Sequence, residues 1–302
     1  MKNERKYISE ENKMKTIIVT DSCCDLPYTY IKENHIEVLA ITVNMNEKDM
    51  KDNLAETGEY ETFYKQIAEG AMPKTSQINV YEFKEVFMKH VKQGNQVLYI
   101  GFSAALSGCV NSARMAAEEI KKDMRDASIT VVDSACASMG QGLLVYNVVE
   151  QLKRGKSLEE LLAYIEENKQ KVNHWFTVTD LNHLFRGGRV SRTAATLGSI
   201  LQIKPILTVD EEGKLIAKEK AKGRKKSLKI LVEKIKERSV SPEEQTVFIS
   251  HAAVLEEAQQ MKQAIMESCS VKDVWINEMG AAVGSHVGPG ALAVFFMGDT
   301  RQ

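Results

Sequence analysis

The sequence predicts a two-domain α/β protein, in which a Rossmann-like domain with a parallel sheet precedes an α+β domain. Short β-branched runs at 16–19, 38–43, 96–100 and 129–132 are typical of buried strands, and helical patterns separate them. Strands that alternate with helices favour a parallel sheet covered by helices. The regular alternation stops near residue 156, which indicates a second domain of a different kind.

The clearest element of the first half is an amphipathic helix. Its apolar residues recur at alternating spacings of four and three, which places them on one helix face: Leu106, Val110, Ala113, Ala117, Ile120 and Met124. The helix follows a predicted strand and a turn that contains serine and glycine. In open α/β folds such a turn is the usual position of a ligand.

The domain boundary is marked by the end of one helix and the start of another. The helix that begins at Met139 ends at Gly155, and Ser157–Glu160 has the spacing of a capping box. The expected organisation is therefore a flexible extension followed by two domains, with bounds of 1–14, 15–156 and 157–302.

The second domain is predicted from short apolar runs and amphipathic stretches. A turn at 211–213 indicates a hairpin between 206–209 and 214–220. Further strands are predicted at 175–178, 246–249, 274–276 and 291–296, and helices at 225–238 and 254–267.

Composition excludes several classes of protein. Lys plus Arg (40) nearly cancels Asp plus Glu (41) over 302 residues, so no overall field attracts nucleic acid or an anionic membrane. The longest apolar runs, such as 291–297, are far shorter than the roughly 20 residues of a membrane span. Residues 1–15 also lack the apolar core of a signal peptide. We expect a cytoplasmic protein that binds no nucleic acid and has no integral membrane segment.

The sequence offers no motif for a metal, a cofactor or catalysis. Its five cysteines include no Cys-x-x-Cys pair, and no histidine stands at zinc spacing from them. The chain also lacks a Gly-x-Ser-x-Gly elbow, a His-Glu-x-x-His motif and the glycine-rich loops that bind nucleotides. We therefore expect no metal, no cofactor and no catalytic residue.

A first candidate binding segment is Pro73–Gln77, between two amphipathic helical stretches. Thr75 and Ser76 offer hydroxyl donors close to a helix N-terminus, an arrangement that suits a carboxylate or a phosphate. The alternative is that they cap the helix predicted at 80–91.

A second candidate is the turn before the amphipathic helix, which contains Ser103, Ala104 and Ser107. It leaves a predicted strand at the carboxyl edge of the sheet, where ligands bind in open α/β folds. The alternative is a capped turn with Ser107 as the helix cap.

Two further candidates lie in the second domain. Arg186–Ser191 combines two glycines, which let the backbone turn sharply, with guanidinium groups that keep their charge. Arg189 is therefore a candidate contact for an anion or an acidic partner, and a solvated turn is the alternative. His286, in the rigid turn His286–Gly290, is a candidate polar group, although a lone histidine is more often a structural hydrogen bonder.

Taken in order, these segments resemble the DegV family of bacterial fatty-acid-binding proteins. The resemblance covers roughly residues 15–299. Its markers are Asp21-Ser22-Cys23-Cys24-Asp25-Leu26-Pro27, Pro73–Gln77, Leu106-Ser107-Gly108 with Asn111-Ser112-Ala113, Val132-Asp133-Ser134, Gly187-Gly188-Arg189 and His286–Gly290. It implies the two-domain DegV-like (EDD) fold, with one long-chain fatty acid buried between the domains.

The resemblance also implies how the ligand is held and used. The carboxylate is expected to be held by hydroxyls and a histidine, and the nominated ligand-binding residues are Thr75, Ser76, Ser103, Ala104, Ser107, His286 and Gly288. Ala104 stands where the family commonly has serine, which removes one expected hydroxyl. The implied protein is a carrier that presents its fatty acid to a separate fatty acid kinase for acyl phosphate formation in phospholipid synthesis. Arg189 is expected at the pocket mouth or at the partner.

Two other functions stay open from the residues alone. An enzyme that acts on an acyl or phosphorylated small molecule would use His286 as acid/base and Arg189 on the phosphate. A protein interaction module would use the basic cluster at 218–226, for which a solvated face is the alternative.

Overall fold

Three β-sheets organise the computed structural model of the chain, which describes residues 14–54, 56, 60–191 and 203–301. All but one residue of the predicted N-terminal extension lies outside the described residues. The sheets differ in strand direction, and the mixed α/β architecture that they form with their helices is the predicted fold class.

The N-terminal sheet is the predicted parallel sheet. Its strands are β1 (Thr16–Asp21), β2 (Glu37–Leu39), β6 (Gln96–Gly101) and β7 (Ile129–Asp133). They lie in the order β2, β1, β6, β7, and each neighbouring pair is parallel. The carboxyl ends of these strands therefore point to one edge of the sheet, where the second candidate segment begins.

A small antiparallel sheet is an addition that the sequence does not predict. It consists of β3 (Thr42–Met45), β4 (Lys48–Lys51) and β5 (Lys74–Ser76), in the order β4, β3, β5. The prediction of one strand over 38–43 is wrong, because the backbone of Ile41 bonds outside both sheets. Its N–H donates to Ser22 Oγ at 3.0 Å, and its carbonyl accepts from Asp52 N at 2.9 Å.

The C-terminal sheet is mixed. Its strands are β8 (Val172–Thr177), β9 (Ile203–Val209), β10 (Leu215–Lys222), β11 (Thr246–His251), β12 (Asp273–Glu278) and β13 (Leu292–Met297). They lie in the order β10, β9, β8, β13, β11, β12, and β9 and β10 form the predicted hairpin. Of the described pairs in this sheet, β11 with β12 is the parallel one.

The described helices cover the sheets and connect them. They are α1 (Tyr28–Glu33), α2 (Tyr60–Ala68), α3 (Val80–Val91), α4 (Cys109–Asp123), α5 (Met139–Lys153), α6 (Leu158–Asn168), α7 (Asn182–Arg186), α8 (Arg224–Arg238), α9 (Leu255–Ser268) and α10 (Ala281–Val287). The predicted amphipathic helix is α4, and the predicted capping box at Ser157 and Glu160 opens α6. Helix α3 is capped by Asn79 in a capping box with Glu82, so Thr75 and Ser76 are not its caps.

The main core lies between the parallel sheet and the mixed sheet. Helix α5 contributes Leu144 and Val148 to it, both fully buried. They share one apolar cluster with Leu98 of β6 and with Phe248 of β11. Because full burial of such a side chain is worth roughly 1.5–3 kcal/mol, this shared cluster holds the two halves of the chain together.

Candidate functional site

A cavity lies between the two halves of the chain and takes lining residues from both. Its volume, open to the centre of a water-sized sphere, is about 230 Å³, whereas one water needs roughly 10–15 Å³ on that measure. The cavity is therefore large enough for a ligand rather than a single solvent molecule.

One wall of the cavity is apolar and comes from the C-terminal sheet. Its side chains stand on four strands, β8, β9, β10 and β13, and are Phe176, Val209, Leu215, Ala293 and Phe295. Ala293 pairs with Phe176 across β13 and β8, so these positions are fixed by strand register. Other elements add further apolar groups, including Cys23, Ile41, Leu106 and Val283.

The polar end of the cavity is built around Thr75 and His286. Thr75 lies on β5 and His286 on α10, far apart in sequence, and Thr75 Oγ1 is 2.8 Å from His286 Nε2. Both side chains line the cavity, together with Ser76, Gln77 and Ser107. Four of the nominated ligand-binding residues therefore meet here.

His286 is held in an uncharged state. Burial, and secondly the charge of Arg189, lowers the pKa of its imidazole to about 4. Its Nδ1 atom has no hydrogen-bond partner among the described residues, and it faces the α-carbon of Gly187. In the tautomer with its proton on Nε2, the unpaired Nδ1 atom is an acceptor and not an N–H donor.

The segment at Ser107 closes the same end of the cavity. Ser107 Oγ lies 3.2 Å from Cys109 Sγ and accepts from Cys109 N at 3.4 Å, at the start of α4. This is the predicted cap position, although the N-cap residue itself is Gly108. A Cβ atom at Gly108 would collide with the side-chain oxygen of Gln77, so glycine permits the close approach of the two candidate segments.

Three nominated residues do not line the cavity. Ser103 is buried, and its hydroxyl donates to the carbonyl of Gly213 at 2.9 Å. Ala104 is exposed, and its N–H donates to Asp133 Oδ1 at 3.2 Å. Gly288 ends α10 with a φ of 69°, and its α-carbon faces the ring of His183. Ser103 and Gly288 therefore support the cavity's surroundings, and the hydroxyl absent at Ala104 would not have pointed into the cavity as the chain is arranged.

Arg189 lies where the cavity meets a second, outer pocket. Its Nε donates to the carbonyl of Leu106 at 3.1 Å, and its Nη1 donates to the carbonyl of Gly187. The outer pocket shares Thr75, Arg189 and His286 with the cavity, and it is also lined by Lys74 and Arg186. The outer pocket is thus lined by three cationic side chains.

Two polar residues of the cavity were missed by sequence reasoning. Ser138 precedes α5, and His174 lies on β8, where its Nε2 accepts from Ala137 N at 3.2 Å. Burial lowers the pKa of His174 well below its ordinary value. His174 lies inside a strand and carries no local signal. Ser138 lies in the turn from β7 to α5, the kind of strand-to-helix turn that singled out Ser103, so the sequence did offer a signal for it.

The structure carries no metal-binding signature in its described part. Within residues 14–54, 56, 60–191 and 203–301, no three His, Cys, Asp or Glu side chains are grouped as metal ligands. Every helix in those ranges is too short or too polar to span a membrane.

The fold and the cavity together define an α/β protein that encloses a largely apolar cavity between a parallel and a mixed sheet, with a polar cluster at Thr75 and His286. The model of the DegV family, described as uncharacterised proteins, matches residues 15–299. The chain belongs to the DegV family, as the resemblance of its motifs indicates.

Relatives agree with this assignment over more than nine-tenths of the chain. A DegV domain-containing protein of Clostridium perfringens is 46% identical over 288 residues, which are 95% of this chain and 99% of the relative. A DegV lipid binding protein from Thermotoga maritima has a similar structure, with a TM-score of 0.84, 30% identity and coverage of 96% and 100%. A DegV family protein from Thermus thermophilus, described for its fatty acid binding, has a TM-score of 0.84, 30% identity and coverage of 94% and 100%.

Proposed function

We propose that this protein binds a single long-chain fatty acid in the cavity between its sheets. The observation that carries the proposal is the division of the cavity into an apolar wall and a polar end at Thr75 and His286. Burial of an alkyl chain of about 16 carbons gains roughly 0.8 kcal/mol per methylene, of order 10 kcal/mol before the costs of ordering. The lipid and fatty acid binding described for the Thermotoga and Thermus relatives supports the same ligand class.

The carboxylate of the fatty acid is assigned to the polar end. With its proton on Nε2, His286 donates to Thr75 Oγ1, and the hydroxyl hydrogen of Thr75 is then available to the ligand. Ser76 and Ser107 also line the cavity at this end. Hydrogen bonds to an ionised acceptor are stronger than neutral ones, so a few uncharged donors hold the anion.

The same geometry supports a role as a carrier that serves a separate fatty acid kinase. The outer pocket reaches Thr75 and His286 from the surface and is lined by Lys74, Arg186 and Arg189. A partner at the outer pocket meets the carboxylate of the fatty acid, which is the group that becomes an acyl phosphate. Arg189 is placed to contact that partner or the developing anion.

The proposal is tested by mass spectrometry of lipid extracted from the purified protein. We expect near-stoichiometric fatty acid in the native protein and little in a Thr75→Val/His286→Ala double variant. Lipid in both proteins would support the carrier function but would show that Thr75 and His286 do not hold the carboxylate. A native protein that stays empty after incubation with fatty acids, or that turns over acyl phosphate without an ATP-dependent partner, would contradict the carrier.

A further inference from the structure

The Asp21–Pro27 motif contributes to a group of buried carboxylates that the fatty-acid site does not use. Asp21, Asp25 and Asp52 are each 0% exposed. A carboxylate is rarely buried unless other groups compensate for its lost hydration. Asp25 and Asp52 each bond one group of the first half of the chain and one backbone amide of the second half, at the start of α10.

Asp25 and Asp52 cap the helix that carries His286. Asp25 Oδ1 accepts from Gly280 N at 2.8 Å, and Asp52 Oδ2 accepts from Ala282 N at 3.0 Å. The first N–H groups of any helix lack partners within the helix, and Gly280 has no side chain that could cap α10 locally. The caps therefore come from residues 255 and 230 positions away in the chain.

The glycine at position 280 is explained by these carboxylates. Its φ of −61° is accessible to every residue, so backbone conformation does not demand glycine there. A Cβ atom would lie 2.6 Å from Asp52 Oδ2 and 3.0 Å from Asp25 Oδ1. Only a residue without a side chain lets both carboxylates reach the helix N-terminus.

The remaining oxygens of the two carboxylates are also held. Ser138 Oγ donates to Asp25 Oδ2 at 2.5 Å, and Tyr60 Oη donates to Asp52 Oδ1. Burial raises the pKa of Asp25 well above its ordinary value, and it also raises that of Asp52. Each side chain is fixed at both oxygens, so each sets a firm position for the amide that it caps.

Helix geometry transmits this position to the ligand site. Ala282 and His286 are one helical turn apart on the same face of α10, about 6 Å along its axis. Both line the cavity. Because α10 spans only Ala281–Val287, a shift of its first turn moves His286 relative to Thr75.

We propose that Asp25 and Asp52 are positioning residues of the fatty-acid site, which hold the first turn of α10 so that His286 meets Thr75. Recognition of the carboxylate rests on the proposed function, whereas the position of His286 does not. Asp21 is the matched control, because this equally buried carboxylate bonds Tyr99 Oη at 2.7 Å and Phe102 N at 3.1 Å instead of α10.

Head-group discrimination is the first measurement. The affinity for palmitic acid is divided by the affinity for its methyl ester, which shares the apolar tail. We expect Asp25→Ala and Asp52→Ala each to lower this ratio about tenfold, equivalent to about 1.4 kcal/mol. Asp25→Asn and Asp52→Asn keep an acceptor for the amide and recover most of the ratio, and Asp21→Ala leaves it unchanged. An unchanged ratio in folded Asp25→Ala and Asp52→Ala would overturn the proposal.

A double variant separates positioning through His286 from an independent effect. In a His286→Ala background, Asp52→Ala should cause no further loss of discrimination, since the residue through which it acts is gone. An additional tenfold loss in that background would show that Asp52 acts on the ligand by another route, against the proposal.

The position of His286 is also measured without any ligand. In protein labelled with ¹³C and ¹⁵N at histidine, the His286 ring signals are those that disappear in His286→Ala. We expect them to move in Asp25→Ala, Asp52→Ala and Gly280→Ala, and to stay in Asp21→Ala. If Asp25→Ala and Asp52→Ala fail to fold, Gly280→Ala tests the proposal alone, because its Cβ displaces both carboxylates. Unmoved signals overturn positioning, whereas moved signals in a protein that binds no fatty acid reject the proposed function alone.

Discussion

The two ends of the cavity are built in different ways. The apolar wall stands on neighbouring strands of one sheet, where Phe295 of β13 and Phe176 of β8 are held by continuous strand pairing. The polar end joins β5, the start of α4 and the short helix α10, which meet through single contacts such as Thr75 with His286. Under the proposed function, affinity for the alkyl chain therefore comes from the sheet. Recognition of the head group is assigned to elements that need separate positioning.

The largest expected effect comes from filling the apolar end. Leu215 is half-buried at the start of β10, so Leu215→Trp reduces the cavity without adding a charge. If the indole excludes about four methylenes, the affinity for an 18-carbon acid falls about 200-fold, at roughly 0.8 kcal/mol per methylene. Titration calorimetry with acids of 12 and 18 carbons measures this effect.

The chain offers a matched control for that variant. Leu228 is also partly buried, but it packs on the outer face of the C-terminal sheet in a different apolar cluster. Leu228→Trp should leave both affinities unchanged, and the 12-carbon acid should bind Leu215→Trp almost as it binds the native protein. An equal loss for both acids would show that Leu215 does not set the chain length.

A smaller effect is expected at the polar end. Thr75→Val keeps the shape of the side chain and removes its hydroxyl, and with it the hydrogen bond that we propose for the carboxylate. We expect the affinity for the acid to fall about tenfold and that for its methyl ester to change little, since bonds to charged groups are worth about 1.5–3 kcal/mol. Thr130→Val, on the edge strand β7 and away from the cavity, is the control. Equal losses for acid and ester would place the carboxylate elsewhere.

The sequence predicts the polar end better than the apolar wall. Thr75, Ser107 and His286 stand in segments punctuated by glycine or proline, which interrupt the pattern of the core. Phe176 and Leu215 carry no such mark, because an apolar strand residue has the same pattern whether it faces a cavity or a packed core. The residues of the apolar wall can be identified only when the strand order is known.

Fold prediction fails where long-range contacts override local pattern. The alternating parallel strands and the hairpin of β9 and β10 were predicted, since their signals are local. The break between β2 and β3 depends on the bond of Ile41 to Ser22, nineteen residues away, and β5 is three residues of ordinary polar sequence. Likewise, the hydroxyl of Ser103 is used by Gly213 in the other half of the chain.

Two histidines, His251 and His286, have similar protonation and different surroundings. Burial lowers the pKa of His251, on β11, to about 4. Burial together with Arg189 lowers that of His286, at the polar end, to about 4. Between pH 6.5 and 4 each of these histidines is protonated in the unfolded chain but stays neutral in the folded protein. The free energy of unfolding therefore decreases as the pH falls through this range.

The ligand should change the titration of one histidine and not the other. In the ligand-free protein, His286→Gln should reduce the loss of unfolding free energy between pH 7.5 and 5.5 by about 1 kcal/mol, measured by urea denaturation. If a fatty acid binds as proposed, its carboxylate favours the imidazolium and raises the pKa of His286. His251 does not line the cavity, so its pKa stays low. NMR titration of the two rings, with and without saturating fatty acid, distinguishes them. If fatty acid changed the pKa of neither ring, or changed both by the same amount, the carboxylate would not lie at His286. The assignment of the head group to this end of the cavity would then be wrong.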